Sequence, residues 1–486
     1  MTLTDQRGYP VSGASPESLA CFEQASHELR CFIADPVATV DRAVEASPDM
    51  TMAHVLKAWL HLLGTEPAGI AVARACHEAA SGLPATERER AHLEAVGLLA
   101  DGRWHAAGRA LEDLSIAWPR DPLALQAGHQ IDFFTGQSRM LRDRIARALP
   151  AWNAAMPGYH AVLGMHAFGL EETADYDQAE RQGRRCVEIE PRDAWGWHAV
   201  AHVIEMRNRP QDGIAWLQPN AASWAPESFL AVHNWWHLAL YHLELDDIDE
   251  VLRLFDGPIF GARSTVVVDM IDASAMLWRL QMRGADVGER WQAVADNWAP
   301  IAGAGNYAFN DMHAMMAFVS TGRRALQQQV LEAQEAALAG DADNAAFTRD
   351  VGRPATLAIR AFGEGDYAQA IRLLRPIRSI AHRFGGSHAQ RDLIDLTLIE
   401  AALRSGDQAL AKALVNERVA LRPASPLSRL FASRVEGRNA AGRLAPGSGQ
   451  RAAAGARAFH CLNPDSGFTG QAATVAAPLR RPVRGA

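Results

Sequence analysis

The chain has 486 residues, a formal charge of −8, and 48% hydrophobic against 21% charged residues, which provides for a packed core and excludes wholesale disorder. Of its 48 basic residues only Lys57 and Lys412 are lysine. An acidic chain without a basic stripe is a poor nucleic-acid binder, and no apolar run approaches the roughly 18 residues of a membrane span. Residues 1–7 lack the basic start and apolar stretch of a signal peptide. The expectation is a cytoplasmic protein with neither nucleic acid nor membrane as partner. Five scattered cysteines (Cys21, Cys31, Cys76, Cys186, Cys461) form no CxxC pair and read as reduced thiols.

Along the chain, residues 1–14 read as a disordered N-terminus and residues 15–430 as one repeat domain. Prolines 48, 84, 119, 157, 191 and 226 mark intervals of 34 to 38 residues. Between them the apolar pattern is helical, two helices with a short polar break. In the best unit an apolar helix over residues 160–170 is followed by a polar break over 171–176. A second helix then runs from about Asp177 to Ile189 and stops before Pro191, which disfavours helix in the residue preceding it. Similar second helices are expected over 104–118 and 367–380. A strand has one short candidate, Thr265-Val266-Val267-Val268. This period and grammar resemble tetratricopeptide repeats. With His160 at repeat position 1, Ala179 and Pro191 fall at positions 20 and 32. The expected fold is all-α, a curved tetratricopeptide-like solenoid of antiparallel helix pairs. Residues 437–486 carry seven arginines against Asp465 alone and too few large apolar residues for a core, so they read as a disordered tail.

Polar residues recur inside otherwise apolar first helices. His198, His202 and Glu205 share one helical face by their spacings of four and three. Thirty-five residues on, His233 and His237 repeat the pattern, with Trp236 between them and Tyr241 extending the face; Asp269 and Asp272 follow after a similar interval. Equivalent positions on neighbouring first helices lie side by side in a stacked array, so these residues form adjacent rows. Asn310 with His313, and His388 with Arg391 and Asp392, are two later groups of the same kind, the second entered through a Gly-Gly-Ser loop and cap. Ten of the 13 tryptophans fall within residues 152–298 and supply rigid walls. A single histidine beside tryptophan is ordinarily a core residue, and Asp269 and Asp272 also suit a helix start. Recurrence at the repeat period is what argues for one polar pocket, because each buried unpaired polar group costs about 1–3 kcal/mol.

Histidine pairs at i and i+4 with carboxylates nearby suit Zn²⁺, Fe²⁺ or Mn²⁺, although the pattern is neither HExxH nor the ExxH of di-iron bundles. A histidine oriented by Asp269, Asp272 or Asp311 is equally suited to metal-free acid/base work. Nucleotide-binding glycine patterns are absent, no cofactor is specified, and the identity of any metal and the oligomeric state are left open. Two functions follow. The first is a binding protein that takes a small molecule or short peptide segment in its concave groove, with His198, Glu205, His233, Trp236, Tyr241, Asp269, Asn310, Arg391 and Asp392 as contacts. The second is an enzyme in which His202, His237, Asp272, His313 and His388 perform acid/base or metal-assisted, hydrolase-like chemistry.

Four motifs together are similar to the tetratricopeptide repeat protein 38 family: Trp197-His198-Ala-Val-Ala-His202-Val-Ile-Glu205-Met, His233-Asn-Trp-Trp-His237-Leu-Ala-Leu-Tyr241, Phe309-Asn-Asp-Met-His313-Ala-Met-Met and Gly-Gly-Ser-His388-Ala-Gln-Arg-Asp392. The resemblance runs from roughly residue 15 to 425. It implies a helical-repeat fold and no particular activity.

Overall fold

In the computed structural model, which describes residues 3–437, the chain is all-α but for one two-stranded hairpin and a single bridge between Ile33 and Ser228. Its helices pair antiparallel, as in Glu87–Ala100 with Trp104–Ala117 and Tyr159–Glu171 with Tyr176–Ile189. The residues explain these bounds. Prolines 16, 36, 122, 210 and 426 open helices at the first turn, where no backbone donor is needed. Ser15, Thr86 and Ser387 each close a reciprocal capping box. Between the two helices of a pair the chain turns through a left-handed residue, Gly102 or Gly365 in some units and Ala174 or Asn208 in others. In each case the next residue's N–H returns to a carbonyl five positions back, which closes the first helix: Arg103 to Leu98, Asp175 to Leu170, Arg209 to Ile204.

Several expectations change in detail. The second helix expected over 367–380 is α-helical over Tyr367–Ile377 and continues as a 3-10 turn, Arg378–Phe384. The strand candidate 265–268 is not a strand: Val266 is the cap of the helix Val267–Met282, and Val267 and Val268 open its first turn. The expectation of disorder over 1–14 does not hold for residues 3–14. Leu3–Thr4 pairs with Pro10–Val11, Arg7 bonds Glu23 at 2.9 Å, and the Ser12 hydroxyl donates to Glu89 at 2.7 Å. These charged partners supply the anchoring that an apolar count does not register. The tail expected over 437–486 lies, apart from Gly437, outside the described residues. Cys21, Cys31, Cys76 and Cys186 are free thiols. Among the described residues no helix is long and apolar enough to cross a membrane.

Repeats distant in sequence also meet. Thr65 accepts from Asn306 and Glu66 from the Val267 N–H. The helix His388–Ser405 packs on Val267–Met282, where Trp278 Nε1 donates to Thr397 at 3.1 Å and Arg279 donates to the Ala389 carbonyl at 2.7 Å. The inner faces of the middle first helices are therefore covered by protein.

Candidate metal centre

Asp193 caps the helix Ala194–Met206, accepting from the Gly196 N–H at 2.9 Å, and thereby sets the helix that carries His198 and His202. The neighbouring first helix, Ala231–Glu244, carries His233 and His237, and Tyr241 ties the two together by donating to the Ala201 carbonyl at 2.6 Å. The i, i+4 spacing on both helices brings four imidazoles into one cluster. One ring nitrogen from each of His198, His202, His233 and His237 lies within 4.8 Å of the others. Ring centroids are 4.4 Å apart for His198–His202 and for His202–His237, and 4.8 Å for His198–His233. His198, His202 and His237 are 0–2% exposed, whereas His233 reaches the edge.

Carboxylates stand behind the rings. His233 Nδ1 donates to Asp272 at 2.8 Å. A Glu205 oxygen lies 3.3 Å from His237 Nδ1, and a Glu171 oxygen 3.8 Å from His202 Nδ1. Aromatic rings complete the wall: Trp236 stacks on His233, while Trp195 and Phe168 cover His198. Burial, followed by the neighbouring imidazoles, holds His198, His202 and His237 well below the ordinary histidine range, so these rings are neutral at pH 7. Burial, reinforced by Glu172 and Glu205, pushes Glu171 well above the usual carboxylate range.

Neither ring nitrogen of His198, His202 or His237 has a hydrogen-bond partner among the described residues. Neutral, dry and convergent imidazoles are the donor set of a transition-metal ion. Tetrahedral zinc with bonds near 2.0 Å sets its ligand nitrogens ~3.4 Å apart. The four nitrogens, all within 4.8 Å of one another, are in the range from which such a site is assembled.

The remaining sequence candidates separate from this cluster. Asp269 sits in the first turn of Val267–Met282 near Asp272, and burial raises it to about 6. It does not bond an imidazole; Asp272, one turn on, does. His313 Nδ1 donates to the Phe309 carbonyl at 2.8 Å and its ring packs on Phe309, the ordinary arrangement of a core histidine. Asn310 donates to Thr65 and Asp311 accepts from Gln334. The His388 side chain is 40% exposed beside Glu172, which also pairs with Arg391, and Asp392 forms a bidentate pair with Arg418. None of His313, Asn310, His388, Arg391 and Asp392 makes a hydrogen bond, ion pair or ring contact with the four imidazoles. Glu171 was missed because it ends its helix and reads as part of the polar break. Its signal was its place, 34 residues and so one repeat before Glu205.

No family model matches the chain. Among solved structures it is similar to the yeast Tom70 crystal structure, at 12% identity and a TM-score of 0.28 over 87% of each chain. It is also similar to the P58(IPK) TPR domain, at 15% identity and a TM-score of 0.18 over 80% of this chain and 98% of that one.

Proposed function

We propose that this is a helical-repeat binding protein whose ligand is one divalent transition-metal ion, held by His198, His202, His233 and His237. The observation that carries the reading is the carboxylate behind the ring. A metal-bound imidazole characteristically gives its second N–H to a carboxylate, which fixes the tautomer and raises the basicity of the ligating nitrogen. Asp272 stands in that relation to His233, and Glu205 and Glu171 approach it for His237 and His202. Four imidazoles favour Zn²⁺ or Cu²⁺ over Mg²⁺ or Ca²⁺, which prefer oxygen. A peptide or organic molecule is less well supported, because the imidazoles are buried against one another and not arrayed along an open groove. Membership of the tetratricopeptide repeat protein 38 family and a cytoplasmic location belong to this proposal and add no chemistry to it.

One observation favours an enzymatic variant. His233 is the least buried of the four rings, and on its side a water or small substrate would reach a metal held by the other three. The first test is elemental analysis of full-length protein purified without an affinity tag. At least one equivalent of Zn²⁺ or Cu²⁺ is expected, and one equivalent should be lost in His202→Ala and in His237→Ala while the helical signal persists. Wild-type protein that is metal-free and fails to take up either ion in equilibrium dialysis would refute the reading.

A further inference from the structure

A second cluster lies away from the four imidazoles. His27 and Cys31 are four residues apart on the helix Pro16–Cys31, and His160 opens Tyr159–Glu171. One nitrogen from each histidine and the Cys31 sulfur lie within 4.8 Å of one another, with Cys31 Sγ 3.8 Å from His27 Nδ1. His160 Nδ1 donates to Asp193 at 2.6 Å, so its free nitrogen is Nε2. The Cys186 thiol also faces Asp193 and His160, in space left by Gly164 and Gly196, where an added Cβ would stand 3.2 and 2.6 Å from its sulfur.

We propose that His27, Cys31 and His160 form a second metal site, for a borderline-soft ion such as Zn²⁺, with Asp193 as the group that orients His160. Three lines of geometry meet here. The donor set, two imidazoles and a thiolate, is that of tetrahedral zinc sites that keep a fourth position open. The Asp193–His160 pair repeats the carboxylate-behind-the-ring relation of Asp272 and His233. Cys31 and His160 are buried while His27 is only partly so, which gives the ion a path from the surface.

The charges around the site fit a cation bound through a thiolate. Burial, then Arg30, lowers His27, so its ring is neutral and ready to donate an electron pair. Burial pushes the Cys31 thiol up, with Asp193 and Glu190 adding to this, so the sulfur carries its proton in the absence of metal. Binding then exchanges that proton for the ion: the S–H bond breaks, a sulfur–metal bond forms and one proton passes to solvent. Arg30, buried and with Nε and Nη1 unpartnered, favours the thiolate, and Asp193 and Glu190 offset the metal's charge.

Cobalt(II) separates this site from the four-imidazole centre, because only a thiolate ligand gives an intense sulfur-to-cobalt charge-transfer band in the near ultraviolet. Full-length protein stripped with chelator and titrated with Co²⁺ should develop that band, complete once both centres are filled at two equivalents. Cys31→Ser should abolish it, and His202→Ala should leave it intact even where the four-imidazole centre no longer binds. His27→Ala, a change at a partly exposed position that spares the core, should weaken the Co²⁺ affinity of the band at least tenfold. A wild-type titration without the band, or a band that survives Cys31→Ser, would overturn the proposal. Should Cys31→Ser not fold, an unchanged affinity in His27→Ala would do so.

Discussion

His129 shows how burial sets chemistry one residue at a time. It is 1% exposed, edge-on to Phe168 and Trp195, and burial with Arg144 nearby lowers it to about 3. An unfolded histidine titrates near 6.5, so the unfolded state binds the proton first as the solution is acidified. A depressed folded pKa contributes stability that is present above about pH 6.5 and lost as the pH falls toward 3. His198, His202 and His237 act in the same direction. The urea midpoint of metal-free protein should therefore hold steady above pH 7 and fall between pH 6.5 and 5, and the fall should be smaller in His129→Leu. A midpoint unchanged between pH 7 and 5 would contradict neutral burial of these rings. The four clustered histidines were legible in the sequence because an i, i+4 pair recurred at the repeat period. Which aspartate served them was not, since Asp269 and Asp272 share a face and only packing chooses between them. His27, Cys31 and His160 were illegible as a set, because their elements meet only through the stacking of repeats far apart in the chain.

At the level of the helix, local rules and close packing divide the work. Ser387 was readable as a cap from Gly-Gly-Ser, and its side chain accepts from Gln390 N–H while Gln390 returns the bond. Ser387→Ala should lower stability by about 0.5–2 kcal/mol in chemical denaturation. The glycines before it answer to tertiary constraints as well. A Cβ on Gly385 would meet the Tyr307 hydroxyl at 2.0 Å in a backbone already at φ +84°, which no local pattern announces. Gly196 makes the same point inside a helix. Its added Cβ would stand 2.6 Å from Cys186 Sγ, so Gly196→Ala should cost about 1–3 kcal/mol by overpacking. Because the displaced helix carries His198 and His202, the same variant should also bind metal more weakly, as read by competition with a chelator dye. An unaltered affinity would mean that the two helices holding the cluster tolerate a shift of that size. Helix pairs and their turns were legible because caps, prolines and left-handed residues are local signals.

Across residues 3–437, contacts between distant repeats change what kind of repeat protein this is. A linear solenoid contacts only its neighbours, and its stability is close to a sum over units. Here Thr65 bonds Asn306, Asp343 accepts from the His105 N–H, and Glu172 accepts from the His388 N–H. Thermal unfolding should accordingly be one transition by calorimetry, with calorimetric and van't Hoff enthalpies in agreement. A chain cut after residue 386 loses the helix that covers Val267–Met282 and should lose cooperativity throughout. A truncated protein whose remaining repeats melt as sharply as the full chain would show that these contacts are incidental. Sequence periodicity does not encode such closure, since the period specifies how each unit meets the next and is silent on where the array returns to itself. That silence is why an open groove was expected where the structure holds a covered cluster.

The indoles around the four imidazoles have an optical consequence. Trp236 lies parallel to His233 with ring centroids 5.3 Å apart, and Trp195 lies 4.7 Å from His198. Excited indole is quenched at such range by a paramagnetic ion, so Cu²⁺ entering the cluster would dim these two residues. Diamagnetic Zn²⁺ in the same place would leave the light undimmed. The walls that keep water from the histidines thus make the protein's own emission a label-free readout of which ion it holds.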